Sequence, residues 1–252
     1  PNRMKIGVMV NAYELISHKL NLKKAIDLLF SNKKLSRVNF VRLACHFSEF
    51  KKTIEAANIL KKKGYQIAVN LMQISERTQE EIIEAGKIAK KSNIDILYFA
   101  DSLGSMSDNH INKIVRNLAV NWKGEIGIHP HNNLGLALSN TVTAIKRGVK
   151  WVDSTVMGMG RGAGNAQTEY LILELEKFQN KFYNNLNLLK LIKFYFEPLL
   201  QKYKWGINSY YYLAGKFGIH PTYIQEMINI KLSENKMLEG ILQLKNYGAS
   251  RY

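Results

Sequence analysis

The sequence contains one cysteine, Cys45, so no internal disulfide can form. That usage fits a reducing compartment, and a cytoplasmic protein is the expectation. No apolar run reaches the length of a membrane span, and the opening residues do not read as a secretory signal, so no membrane role is expected. Acidic residues are scarce: 20 Asp and Glu stand against 36 Lys and Arg, a formal charge of +16. Such an excess invites a nucleic-acid reading. The lysines, however, recur on polar helix faces, as at Lys51, Lys52, Lys61 to Lys63, Lys87, Lys90 and Lys91. No arginine-rich arm, aromatic RNA platform or zinc-finger spacing accompanies them. The expectation is therefore a solvated basic surface, no nucleic-acid partner, and a positive field that favours small anionic substrates.

What the sequence does have is alternation. Residues 5–10, 37–43, 65–72, 95–100, 124–129 and 149–156 read as short apolar strands. Helical patterns at 21–31, 49–63, 79–91, 108–121, 134–147 and 166–179 follow them. Ser48 is the expected N-cap of the second helix, with Gly64 just past its end, and Thr78 with Glu81 is a capping box for the third. Continuous apolar strands suit a parallel sheet covered by helices. The choice is then between a doubly wound sheet and a (β/α)8 barrel, and the first strand lacks the Gly-x-Gly-x-x-Gly turn of dinucleotide-binding folds. Residues 1–182 are expected to form a partial barrel domain. Residues 183–252, with helices at 186–203, 207–216, 220–230 and 234–244, are expected to form a helical region.

The strand at 124–129 ends in His129-Pro130-His131-Asn132-Asn133. Side chains two apart on a strand share a face, so the two imidazoles make a pair of nitrogen ligands for a divalent metal. Pro130 has no N–H for a ladder, which puts the pair at the strand's end, where α/β folds place their chemistry. Asn132 and Asn133 suit the N-cap of the next helix. His-x-His spacing alone is a weak signal and often marks ordinary surface or core histidines.

After the last strand comes Gly158-Met-Gly160-Arg-Gly162-Ala-Gly164-Asn165, four glycines at every second position. They allow positive φ and close approach of backbone to a ligand, which makes Gly162 and Gly164 candidate substrate contacts. The Gly-Lys-Ser/Thr ending of a Walker loop is missing. Asp101 and Ser102 at the end of the fourth strand could hold substrate, support a ligand histidine, or merely satisfy loop backbone. Asp153 and Ser154 are read as structural. Arg42, His46, Asn70 and Gln73 close other strands and are possible substrate contacts, Asn70 foremost. Cys45 reads as a packed residue.

The segments FADSLGSM, GIHPHNNLGLALSNT, VDSTVMGMGRGAGNAQTEYL and SYYYLAGKFGIHP together resemble the metal-dependent lyases of the HMG-CoA lyase and isopropylmalate synthase superfamily. The resemblance is nearest to the 4-hydroxy-2-oxovalerate aldolase-like branch. It implies a (β/α)8 barrel with a helical C-terminal region and a divalent metal, Mn, Mg, Co or Zn, on His129 and His131 with Asn165 nearby. It places Asp101 and Ser102 near substrate and a tyrosine of the Tyr210 to Tyr212 run, Tyr210 by choice, over the site. The implied reaction is carbon–carbon bond cleavage or formation through a metal-bound enolate of a 2-oxo acid, releasing pyruvate and an aldehyde. A homo-oligomer or a dehydrogenase partner on the C-terminal helices is also implied.

One departure matters. Family members open on an Arg-Asp-Gly strand that supplies a further metal ligand and the enolate-holding arginine, and no Arg-Asp occurs here. Eight barrel units against six visible ones lead to the expectation that the first two βα units, about 60 to 80 residues, precede Pro1 in a longer protein, with the catalytic base among them. Two rivals stand beside the aldolase reading. One is an acyl-CoA lyase or synthase, although no cysteine of the HMG-CoA lyase type lies between Val156 and Gln167. The other is a non-catalytic scaffold barrel.

Overall fold

The computed structural model describes residues 4–250. Six strands form one sheet in the order of the chain: β1 (Ile6–Asn11), β2 (Val38–Cys45), β3 (Gln66–Leu71), β4 (Ile96–Asp101), β5 (Glu125–Pro130) and β6 (Trp151–Val152). The registered pairings of β1 with β2, β2 with β3 and β3 with β4 are parallel. The helices are α1 (Ala12–Ile16), α2 (Leu22–Leu29), α3 (Phe50–Lys62), α4 (Gln79–Lys90), α5 (Asp108–Asn121), α6 (Ala137–Lys146), α7 (Thr168–Gln179), α8 (Leu186–Leu191), α9 (Glu197–Tyr203), α10 (Ser209–Phe217), α11 (Pro221–Asn229) and α12 (Glu234–Tyr247). A π-helical turn over Ile192–Phe196 joins α8 to α9. This is a six-stranded α/β sheet consistent with part of a (β/α)8 barrel.

The chain divides into two compact units. The first comprises residues 1–100, 113–128 and 148–151; the second comprises 101–112, 129–147 and 152–252. Most of the sheet belongs to the first unit, whereas the last residues of β4, β5 and β6 and the residues that follow them belong to the second.

In the first unit, burial follows strand position. All six residues of β4 are buried, as a parallel strand covered on both faces requires. The outermost strand β1 is the exception, with Ile6 and Met9 exposed. Ala68, Ile96 and Tyr98 are buried together, with Phe40 and Trp151 packed against them. The rings of Phe40 on β2 and Trp151 on β6 stack 5.7 Å apart, so the sheet curls enough for these strands' side chains to meet. Gly127 is required by the same layer: a Cβ there would lie 2.6 Å from the Tyr98 ring.

The helix ends follow local chemistry. Thr78 and Glu81 form the expected capping box, with Oγ1 and the carboxylate each taking the other residue's N–H. Gly64 adopts φ +94° past α3. Ser48 is not the cap of α3, however. It lies inside a 3-10 turn, Phe47–Glu49, that opens at His46, where the His46 N–H donates to the Glu49 carboxylate. β6 is also shorter than the expected 149–156, so Asp153 and Ser154 lie beyond it.

In the second unit, Tyr211, Ala214, Ile219, Ile224, Met237 and Ile241 of α10 to α12 form a buried cluster with Ala163 of the glycine loop. The helical tail therefore packs on that loop through apolar contact, the main source of stability for such an arrangement.

Candidate metal centre

His129 lies in β5 and His131 one residue past its end, as period-two spacing requires. Their Nε2 atoms are 3.2 Å apart and the rings are steeply inclined, at 80°. Two imidazole nitrogens bound to one cation at about 2.1 Å each, at angles between octahedral and tetrahedral, are about 3.0–3.4 Å apart. The observed separation fits this arrangement. Without a cation, one Nε2 must carry a proton and donate it to the other.

The tautomers favour the ligand role. His129 Nδ1 is 2.7 Å from Asp153 Oδ2. An Nδ1–H donated to that carboxylate leaves the lone pair on Nε2, facing His131. Burial, and after it unfavourable electrostatics from the neighbouring His129, Arg161 and His220, push His131 down to about 3, so its ring is neutral at any ordinary pH. Neutral imidazole is the metal-binding form.

The glycine loop is laced to this strand end. Asn132 N–H donates to Gly164 O at 2.9 Å, and His131 and Asn165 form an antiparallel bridge. The loop folds on itself by Asn165 N–H to Gly158 O and Gly164 N–H to Arg161 O. Gly164 adopts φ +78°, and a Cβ there would lie 2.1 Å from Gly158 O; no other residue fits. Gly160 leaves room for the Asn165 amide, whose Nδ2 donates to Met159 O at 3.2 Å. Gly162, at φ +62°, lies under Tyr211, whose ring would meet a Cβ at 3.0 Å.

His129, His131, Asn165, Gly162 and Gly164 are thus brought together on one strand end and one loop. Asp101 is fully buried, and its two oxygens accept from Ser105 N–H at 3.0 Å and Met106 N–H at 3.1 Å. Burial pushes its carboxyl up to about 6, against those hydrogen bonds. Asp101 therefore satisfies loop backbone, and the carboxylate that meets His129 is Asp153. Asn70 lies in β3 of the first unit, almost fully buried, and its Oδ1 has no hydrogen-bond partner among the described residues. Tyr210 packs against the helical cluster, and its neighbour Tyr211 is the ring that meets the glycine loop. Cys45 is buried and its thiol is pushed up to about 12, so it is no nucleophile.

Asn132 and Asn133 depart from the expected cap. Helix α6 begins at Ala137, and Asn132 Oδ1 accepts from Ala137 N–H across a turn made by Gly135 at φ +74°. Asn133 is buried beneath Gly104 and Gly215. Asp153 is the residue that sequence reasoning undervalued. Its signal was a carboxylate closing the strand that follows the histidine strand. Among the described residues no group of three or more His, Cys, Asp or Glu converges as a metal site.

The HMGL-like family model matches residues 35–195. The chain is 32% identical to a 4-hydroxy-2-oxovalerate aldolase of Bacillus cereus (strain 03BB102) over 152 residues, 60% of this chain and 44% of that protein. It is 35% identical to a 4-hydroxy-2-oxovalerate aldolase of Carboxydothermus hydrogenoformans over 137 residues, 54% of this chain and 41% of that one. It thus spans less than half the length of these curated relatives. Among solved structures, the N-terminal domain of a presumptive aldolase from Bacteroides vulgatus superposes with a TM-score of 0.76 at 27% identity, covering 94% of this chain and 76% of that one. The HMG-CoA lyase of Bacillus subtilis superposes at 0.61 with 18% identity, over 83% of this chain and 74% of that one, a likeness of fold. With more than half of its residues in the matched region, the chain belongs to the HMGL-like family.

Proposed function

We propose that the protein is a divalent-metal-dependent aldolase that cleaves or forms a carbon–carbon bond next to the carbonyl of a 2-oxo acid, of the 4-hydroxy-2-oxovalerate type, with pyruvate as one product. The observation that carries this reading is the 3.2 Å separation of two imidazole nitrogens, one from His129 and one from His131, beside a glycine loop. His129 and His131 would hold the cation, with the Asn165 side-chain oxygen as a further donor. A divalent cation there supplies Lewis acidity for the negative charge that develops on the substrate's keto oxygen.

The chain's own residues position the site. Asp153 keeps His129 in the tautomer that offers Nε2. Gly162 and Gly164 let the loop close on Tyr211 and on Gly158 O and so set its shape beside the histidine pair, and they remain proposed substrate contacts through their backbone. Tyr211 closes one side of the loop, and its hydroxyl donates to Gln225 Oε1 at 2.8 Å, which fixes the ring. Ser102 remains a proposed substrate contact. The base and the enolate-holding arginine are proposed to come from the two βα units that would complete an eightfold barrel. In that proposal residues 1–182 are the barrel portion and 183–252 a helical region. The metal is proposed as Mn, Mg, Co or Zn.

No helix among the described residues is long and apolar enough to cross a membrane, and a cytoplasmic place is part of the proposal. Exposed Leu186, Leu189, Phe194 and Tyr195 support a second subunit or a dehydrogenase docking on the tail. The test is pyruvate release from 4-hydroxy-2-oxovalerate by the full-length protein with added Mn2+, against thioester turnover. Pyruvate release abolished by chelator supports the reading. Thioester turnover without aldol cleavage refutes it.

A further inference from the structure

A cleft of about 840 Å3 lies wholly within the second unit, between the glycine loop and the tail. Its walls carry four cations, Arg161, Lys202, Lys204 and Lys231, and no carboxylate. Among the described residues none of the four makes an ion pair. Arg161 donates to Thr222 Oγ1 at 2.8 Å, and Lys202 Nζ lies 5.1 Å from the centre of the Tyr203 ring. Like charges round one hollow repel one another, and an anion placed among them removes that cost.

The backbone holds these charges in place. Lys204 and Lys231 both adopt left-handed conformations, at φ +53° and +55°, one capping α9 and the other following α11. Glycine or asparagine would fit either position with less strain, so chain reversal alone does not call for lysine. Flat surfaces complete the wall. Tyr203 is exposed, and Trp205 is fixed by its indole N–H, which donates to Met157 O at 2.9 Å. Ligand sites of this size hold molecules larger than a 2-oxo acid. None of His129, His131, Asn165 or Asp153 lines the cleft, which meets the proposed substrate site only at the far side of the glycine loop, through Gly162 and Tyr211.

We propose that this cleft is a separate binding site for an organic polyphosphate carrying a flat ring, of the nucleoside polyphosphate class. The phosphates lie among Arg161, Lys202, Lys204 and Lys231, and the ring lies against Tyr203 and Trp205. Guanidinium and ammonium groups are the usual partners of phosphate oxygens, and exposed aromatic rings stack on bases.

The test is calorimetric titration of the protein with ATP in the presence of chelator, so that the histidine pair recruits no metal-bound nucleotide. Wild type should bind ATP saturably at one site. The double variant Lys204→Asn with Lys231→Asn keeps residues that tolerate positive φ, and it should bind at least about tenfold more weakly with an unchanged melting temperature. Should that variant fail to fold, Lys202→Gln alone should still weaken binding severalfold. His129→Ala with His131→Ala should bind ATP as wild type does. No saturable binding by wild type, or undiminished binding by the lysine variants, overturns the proposal. So does loss of binding in a folded histidine variant. Pyrophosphate binding as tightly as ATP would assign the cleft to inorganic phosphate and overturn it equally.

Discussion

Asp153 Oδ2 lies 2.7 Å from His129 Nδ1, on the far side of the ring from the His131 nitrogen. This one contact decides which nitrogen of His129 holds a lone pair. Asparagine at 153 can donate its own N–H to Nδ1, which would move the ring proton to Nε2 and block the ligand position. Asp153→Asn is therefore expected to weaken Mn2+ binding by about 10- to 100-fold while the fold persists. Metal titration and a thermal melt on the same sample check this, and unchanged affinity would remove Asp153 from the centre.

Asp101 predicts a pH dependence of stability. Its carboxyl is raised from 3.8 to about 6 because the folded protein buries it away from water. Below 3.8 both the folded and unfolded states hold the proton, and burial of the charge costs nothing. Above about 6 both states are ionised and the cost is complete. The Asp101 contribution to stability thus falls as pH rises through this window, by about 3 kcal/mol in all. Denaturant unfolding at pH 4 to 7 measures it. Asp101→Asn should flatten that part of the profile, though it loses one of the two loop hydrogen bonds and so starts from lower stability.

Two glycines with similar backbone angles should respond differently to alanine. Gly164 and Gly148 both have positive φ, +78° and +90°. A Cβ on Gly148 meets nothing within 4 Å, whereas one on Gly164 would lie 2.1 Å from Gly158 O. Gly148→Ala should cost about 1 kcal/mol, the conformational term alone. Gly164→Ala should cost at least about twice that and disturb the loop, lowering metal affinity as well. Equal losses in the two melts would contradict the loop geometry.

How far the sequence could be read depended on whether a feature was local. The strand–helix alternation, the Thr78 and Glu81 box, the turn at Gly64 and the histidine strand end all follow from neighbouring residues, and the structure bears them out. The missed features needed partners distant in sequence. Asp153 was legible only as a strand-end carboxylate, because its value lies in reaching His129, 24 residues earlier. Asp101 offered several roles, and only the folded loop shows Ser105 and Met106 taking both its oxygens. The late start of α6 depends on Asn132 bonding forward to Ala137. Choosing among three adjacent tyrosines required knowing which helix face meets Gly162, and no periodicity in SYYYLAG decides that.

His129 and His131 are proposed to share one divalent cation. Titration of the purified full-length protein with Mn2+, followed by calorimetry and by the paramagnetic broadening of the two imidazole signals, tests this most directly. One site per chain is predicted, with both rings broadened together and binding lost in His129→Ala and in His131→Ala alike. Stoichiometric binding that survives both substitutions, or that broadens neither ring, would contradict it.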